Sequence, residues 1–213
     1  GTCVLFGDGA GAVVLQGSSV PGGVMATTLR SDGSGADLLS LPALYHNPVP
    51  IAGAEFSSNG YHKNIVDMDG RPVYRFATNV IASSIQEVLK QADLTIDDIA
   101  LIVPHQANTR IIEAAAKKLK LPMDKFYLNV EHNGNTSAAS IPLALCDAVR
   151  DGRLRPDDNV VFVGFGGGLT WGASIVKWDV TPPVVSFGDH EWRRVRYIMA
   201  RGRSRLRRLQ RRV

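Results

Sequence analysis

Ile99-Ala-Leu-Ile-Val-Pro-His-Gln-Ala-Asn108 passes from a continuous apolar run, through a proline, into a polar segment. Ile99 to Val103, entered from Asp97-Asp98, has the length and β-branched content of a buried strand. Beyond it Ile111, Ile112, Ala115 and Leu119 recur at helical spacing, and that helix must close before Leu121-Pro122. Upstream, Val80, Ile81, Ile85, Val88, Leu89 and Ala92 follow the same three-and-four pattern behind Thr78 and predict a core helix. Downstream, a short strand near Phe126 to Val130 is expected, then a helix across Ser137 to Val149 and a final strand from Val160. Pro142 is tolerable only near the first turn of its helix. Strands alternating with helices put the chain in the α/β class, with helices layered on a sheet.

The ends of the pattern carry glycine turns. Val4 to Phe6 and Ala12 to Leu15 flank Gly7-Asp-Gly-Ala-Gly11, while Val160 to Val163 and Ala173 to Val176 flank Gly164-Phe-Gly-Gly-Gly168. Each reads as strand, tight turn and strand, and the pairing of Phe6-Gly-Asp-Gly with Phe165-Gly-Gly-Gly suggests an internal duplication. Neither turn suits a nucleotide. A dinucleotide fingerprint opens a helix and a P-loop needs a Lys-Ser or Lys-Thr pair, whereas both turns lead into β-like sequence. Residues 31–60, rich in Gly, Ser, Pro and Asn, read as an irregular surface excursion.

With 213 residues, 45% of them hydrophobic, the chain can bury a substantial core. No apolar run is long enough to span a membrane and no signal peptide is evident. Cys3 and Cys146 are too few and too far apart for a disulfide framework or a metal cluster, so the expected location is the cytoplasm and both read as core residues. Charge is divided unevenly. Residues 179–213 hold ten arginines against Asp179, Asp189 and Glu191, so this tail, at +7, leaves the remaining 178 residues at −3 within a chain of net +4. A nucleic-acid partner is therefore not implied by the basic balance of the whole.

His105 falls where a strand ends and a helix begins, the edge of an α/β sheet at which ligands usually bind. An isolated histidine there could equally cap a helix or bond to backbone. Asn135, in Asn133-Gly-Asn-Thr-Ser-Ala-Ala-Ser-Ile141, precedes the next helix, where peptide dipoles favour negative charge; it could also be only an N-cap or turn residue. Gly166-Gly-Gly168 would allow close backbone approach and present an unencumbered amide to an oxyanion.

Four stretches together carry a resemblance: Phe6-Gly-Asp-Gly-Ala-Gly-Ala12, Pro104-His-Gln-Ala-Asn108, Asn135-Thr-Ser-Ala-Ala-Ser140 and Phe165-Gly-Gly-Gly-Leu-Thr-Trp-Gly172. In this order they resemble the C-terminal half of ketoacyl-acyl carrier protein synthase III, a thiolase-fold condensing enzyme, from Gly1 to about Trp178. The resemblance implies that residues 1–20 are the closing hairpin of the fold's first half and 21–178 its second half. Residues 179–213 would be an appended tail, either a basic amphipathic helix or the product of a frameshift or fusion. It implies decarboxylative condensation of an acyl-coenzyme A starter with a malonyl carrier-protein thioester, without cofactor or metal. His105 and Asn135 would donate to the thioester oxygen of the enolate, and the Gly167 amide to the tetrahedral oxyanion. Gly70, Tyr74, Asn108 and Phe165 would line the pantetheine path. Arg75, Gln106, Arg110, Lys117 and Lys118 would meet an acidic carrier protein. A histidine paired with asparagine rather than with a second histidine marks the chain-initiating type and the chalcone synthase-like enzymes.

The nucleophile of the family is a cysteine at a helix start in its N-terminal half, where the dipole lowers the thiol pKa. Neither Cys3 nor Cys146 matches it, so this chain alone is expected to be inactive in condensation and to form the homodimer only with that half. The alternatives are a non-catalytic half that binds carrier protein or a separate N-terminal partner, and a related polyketide or chalcone synthase-like condensing enzyme.

Overall fold

The structure, a computed structural model, describes residues 4–19, 22–40 and 66–179. The readings of Cys3, of residues 41–60 and of the tail beyond Asp179 lie outside the described residues. All the described residues fall within one compact unit, Gly1–Val180.

This unit is built on β4 (Ile99–Pro104), β5 (Asn159–Gly166) and β6 (Thr170–Lys177), joined by β1 (Gly23–Ser31) in the order β1-β6-β5-β4. β4 and β5 are parallel, whereas β5 with β6 and β6 with β1 are antiparallel, so the sheet is mixed. A small ladder pairs β2 (Leu39–Ser40) with β3 (Asp67–Met68). β1 was not foreseen in the sequence. Its apolar positions are interrupted by Thr27 and Thr28, it lies at the end of the strand order, and its Leu29 is 79% exposed.

Among the described residues, three longer helices cover this sheet. α1 (Gly70–Gln91) begins two turns before the expected start behind Thr78, because Asp69 caps it by accepting from the Arg71 N–H. Pro72 sits in the first turn, where a missing N–H leaves no bond unmade. α2 (Thr109–Leu119) is capped by Asn108, whose Oδ1 accepts from Arg110 N at 2.9 Å. It ends at Lys120 in the left-handed conformation, φ 57°, with the Lys120 N–H returned to Ala116 and Lys117 carbonyls. After the four-residue α3 (Val130–Asn133), a 3-10 turn at Ser137–Ala139 leads into α4 (Ser140–Arg150), whose Pro142 falls in the first turn.

Alternation along the strands sends side chains to two cores. Ile102, Val161, Val163, Ala173 and Ile175 pack against Ala77, Ile81, Ile85 and Val88 of α1 and Ile112 and Ala115 of α2. Leu101, Val103 and Val160 face the other way, onto Ala144 and Ala148 of α4 with Leu154. Fully burying each such Ile, Leu or Val contributes about 1.5–3 kcal/mol, which is why the parallel pair, covered on both faces, anchors the fold.

Two expected elements are absent. Phe126 to Val130 forms a single bridge to Ile102 rather than a strand. The chain leaves the sheet at Asn129, whose N–H donates to Gln106 Oε1 and whose amide donates to Asp147. Val4 to Phe6 and Ala12 to Leu15 do not pair with one another either. Phe6 instead bridges Asn135 in parallel, and Val13, Val14 and Leu15 lie 61%, 93% and 82% exposed. A strand needs a neighbour for its edge and a surface for its apolar face; among the described residues Phe6 has only the single bridge to Asn135, and Val13 to Leu15 stay exposed.

Candidate active site

The carboxyl ends of the parallel strands β4 and β5 lie side by side, with Pro104 opposite Val163 and the His105 N–H donating to Val163 O at 2.8 Å. His105 therefore emerges beside Gly164 to Gly168, and the turn before α4 brings Asn135 to the same end of the sheet. Ligands of open α/β sheets collect there.

The half-buried His105 ring is held at two points. Its Nδ1 lies 2.5 Å from Ser140 Oγ, and its edge meets Phe165 with ring centroids 5.3 Å apart at 70°. Burial pushes its pKa down to about 4, so the ring is neutral near pH 7. Phe165 and Trp171 each meet Phe76 of α1 edge-on, at 6.3 and 5.4 Å. These aromatic contacts help keep the surroundings apolar.

Asn135 is fixed by its backbone, which donates to Leu5 O at 3.1 Å and accepts from Gly7 N at 2.9 Å. Its Oδ1 accepts from Ser137 N at 2.9 Å. That bond turns the NH2 of the amide into the available donor. Gly167 approaches the β2 backbone so closely that a Cβ there would stand 2.8 Å from Leu39 O.

One open cleft of ≈ 1430 Å³ is lined by His105, Asn135, Gly167, Phe165, Gly70, Tyr74 and Asn108 together. Tyr74 and Asn108 lie near the starts of α1 and α2, tied by the Tyr74 hydroxyl donating to Arg110 O at 3.4 Å. With one lone pair of its Oδ1 engaged as the α2 cap, Asn108 keeps its NH2 as a donor for a ligand. Arg75 on α1 and Arg110, Lys117 and Lys118 on α2 are exposed on two helices that pack together, and Lys118 Nζ reaches Asn79 Oδ1 at 2.7 Å.

Gln106 departs from expectation. It is 0% exposed and cannot meet a carrier protein. Its Nε2 donates to Pro104 O at 2.8 Å and Tyr127 O at 3.0 Å, and its Oε1 accepts from Asn129 N at 3.0 Å. The carrier-protein contact that the resemblance implied for Gln106 is replaced by a buried strut. Cys146 also differs: it is exposed on α4 rather than in the core, and it is not among the residues lining the cleft.

Ser140, Leu29, Leu39, Met68 and Trp171 line the cleft without having been singled out from sequence. Ser140 had a local signal, since a serine at the opening of a helix often serves a hydrogen bond. The others come from β1 to β3 and β6, whose placement depends on tertiary pairing. Among the described residues no group of three or more His, Cys, Asp or Glu could hold a metal ion. No helix there is long and apolar enough to cross a membrane.

Layered helices on a mixed sheet, with a histidine, an asparagine and a glycine turn at one strand end, define a thiolase-like architecture. The structure is similar to 3-oxoacyl-[acyl-carrier-protein] synthase III from Aquifex aeolicus, with TM-score 0.70 and 38% identity over 83% of this chain and 51% of that one. The enzyme from Thermus thermophilus gives TM-score 0.67 and 41% identity over 84% and 54%. Among curated proteins, the beta-ketoacyl-[acyl-carrier-protein] synthase III of Clostridium perfringens is 47% identical over 177 residues, 83% of this chain and 53% of that protein. That of Clostridium acetobutylicum is 48% identical over 178 residues. A family model described as 3-oxoacyl-[acyl-carrier-protein (ACP)] synthase III C terminal matches residues 89–178, and one described as 3-oxoacyl-[acyl-carrier-protein (ACP)] synthase III matches residues 1–33. The chain belongs to the 3-oxoacyl-[acyl-carrier-protein] synthase III family. It spans about half the length of the curated relatives it matches.

Proposed function

We propose that this chain carries the decarboxylating part of a 3-oxoacyl-[acyl-carrier-protein] synthase III active site, which condenses an acyl-coenzyme A starter with a malonyl carrier-protein thioester to begin fatty acid synthesis. The observation that carries this reading is the placing of a neutral His105 and of Asn135, whose Oδ1 is engaged by Ser137 N, on one apolar cleft. When a malonyl thioester loses carbon dioxide, the electron pair of the broken C–C bond becomes an enolate with its charge on the thioester oxygen. Two neutral N–H donors stabilise that charge as it develops, and a low-dielectric cleft strengthens them.

The enolate carbon then attacks the acyl carbonyl carried on a cysteine, and the tetrahedral oxygen receives the Gly167 N–H. Collapse expels the cysteine thiolate and leaves the 3-oxoacyl product on the carrier. The nucleophilic cysteine belongs to a part of the enzyme beyond these 213 residues, so the chain alone decarboxylates at most. Gly70, Tyr74, Asn108 and Phe165 line the path of the pantetheine arm. Arg75, Arg110, Lys117 and Lys118 steer the acidic carrier protein toward it. The complete enzyme works as a cytoplasmic homodimer.

The test joins the chain to the N-terminal portion of the Clostridium perfringens relative and measures carbon dioxide release from malonyl carrier protein. His105→Ala and Asn135→Ala should each lower the rate by roughly 10²- to 10³-fold, the usual effect of removing one oxyanion donor. An unchanged rate in either variant refutes that residue's assignment.

A further inference from the structure

We propose that Ser140 is a positioning residue that fixes His105 as the tautomer with its proton on Nε2. The catalytic consequence rests on the function proposed above, whereas the tautomer itself does not.

Ser140 opens α4 and is 1% exposed. Its Oγ has two neighbours among the described residues, the Gln106 backbone N at 3.2 Å and His105 Nδ1 at 2.5 Å. A backbone N–H can only donate, so Gln106 occupies an acceptor position on Oγ. Gln106 cannot drift away, because its buried side chain is tied to Pro104, Tyr127 and Asn129. The hydroxyl proton then has Nδ1 as its acceptor. Were Nδ1 protonated instead, Oγ would receive two donors and its own proton would be buried without a partner, an arrangement that native interiors avoid. Ser140 therefore donates to Nδ1, and the ring proton resides on Nε2.

The consequence for chemistry is direct. Nε2 lies across the ring from Nδ1, and only an Nε2–H can donate from that side to an enolate oxygen. The hydroxyl also suits the task better than a carboxylate would. A carboxylate in its place would draw the proton to Nδ1 and favour the imidazolium, whereas a neutral donor holds the ring neutral in the required tautomer. The sequence therefore places a histidine and its orienting group 35 residues apart, on separate elements.

The tautomer is read by NMR of the chain carrying 15N-labelled histidine, with the His105 signals assigned by their loss in His105→Gln. The expected spectrum has a proton-bearing Nε2 and a pyridine-like Nδ1. In Ser140→Ala the ring should lose this preference. A proton on Nδ1 in the unaltered chain overturns the proposal, and that measurement decides it even if Ser140→Ala fails to fold. Retention of the Nε2–H signature in a folded Ser140→Ala also overturns it. In the joined enzyme, Ser140→Ala should slow malonyl decarboxylation by about tenfold in kcat with KM little changed, as supporting residues behind a reacting group typically do, and Ser140→Thr should restore it. If His105→Ala abolishes decarboxylation while Ser140→Ala leaves kcat unchanged, the positioning role fails and the function stands. If His105→Ala has no effect, it is the function that fails.

Discussion

Two apolar stretches of this chain meet opposite fates. Ile99, Leu101, Ile102 and Val103 in β4 are fully buried, whereas Val4, Val13, Val14 and Leu15 are 61–93% exposed. Their compositions are similar. β4 pairs with β5 along its length and is covered by α1 and α2 on one face and α4 on the other. The N-terminal stretch touches the rest through the Phe6 bridge to Asn135 and through glycines that crowd Thr136 and Pro142. Apolar content states that a segment gains from burial. Which surface buries it depends on what else the fold places nearby.

The contrast can be broken first at its strongest point. Ile102→Ala removes a fully buried side chain between the sheet and its helices and should destabilise the chain by about 2–5 kcal/mol in urea unfolding. A loss well below 1 kcal/mol would mean that the core repacks around β4 and that the two stretches differ less than their burial implies.

The second effect concerns the site at the end of β4. His105 has its folded pKa depressed to about 4 from an ordinary 6.5, so between these values the unfolded chain binds more protons than the folded one. Its contribution is present above pH 6.5 and is lost as pH falls toward 4. Unfolding free energy measured across that window should decline on acidification, and His105→Asn should flatten the decline. A slope unaffected by the substitution would assign the acid sensitivity to other groups.

Tyr127→Phe comes third. The Tyr127 hydroxyl donates to Asp151 Oδ2 at 2.6 Å, and its loss should lower stability by about 1.5 kcal/mol. The smallest effect belongs to the N-terminal stretch. Val14→Ser should change the stability of this chain by less than about 0.5 kcal/mol, because little apolar surface is withdrawn from water there. A cost like that of Ile102→Ala would show that the stretch is buried after all.

The division between sequence and fold runs through particular residues. The periodicity of Val80 to Ala92 and of Ile111 to Leu119 requires two helices, and the run Ile99 to Val103 between them requires a buried strand. The strand-to-helix junction at His105 follows from that order alone. So does the glycine turn after Val163, since its flanking runs pair as β5 and β6. Local chemistry also marks a helix start that periodicity alone does not show. Asp69 followed by Gly-Arg-Pro is a helix start, and it explains why α1 begins before Thr78.

By itself, the sequence determined the α/β class, the helices that flank β4 and the residue types available for enolate chemistry, because these rest on spacing within a dozen residues. Tertiary structure alone decided that His105, Asn135, Gly167 and Tyr74 line one cleft, that Gln106 is a buried strut and that Ser140 stands against Nδ1 of His105. It also decided that β1 completes the sheet while the N-terminal apolar stretch stays uncovered. The physical reason is that periodicity encodes which face of an element avoids water, whereas hydrogen bonds and pairings between distant segments depend on distances that no local pattern records.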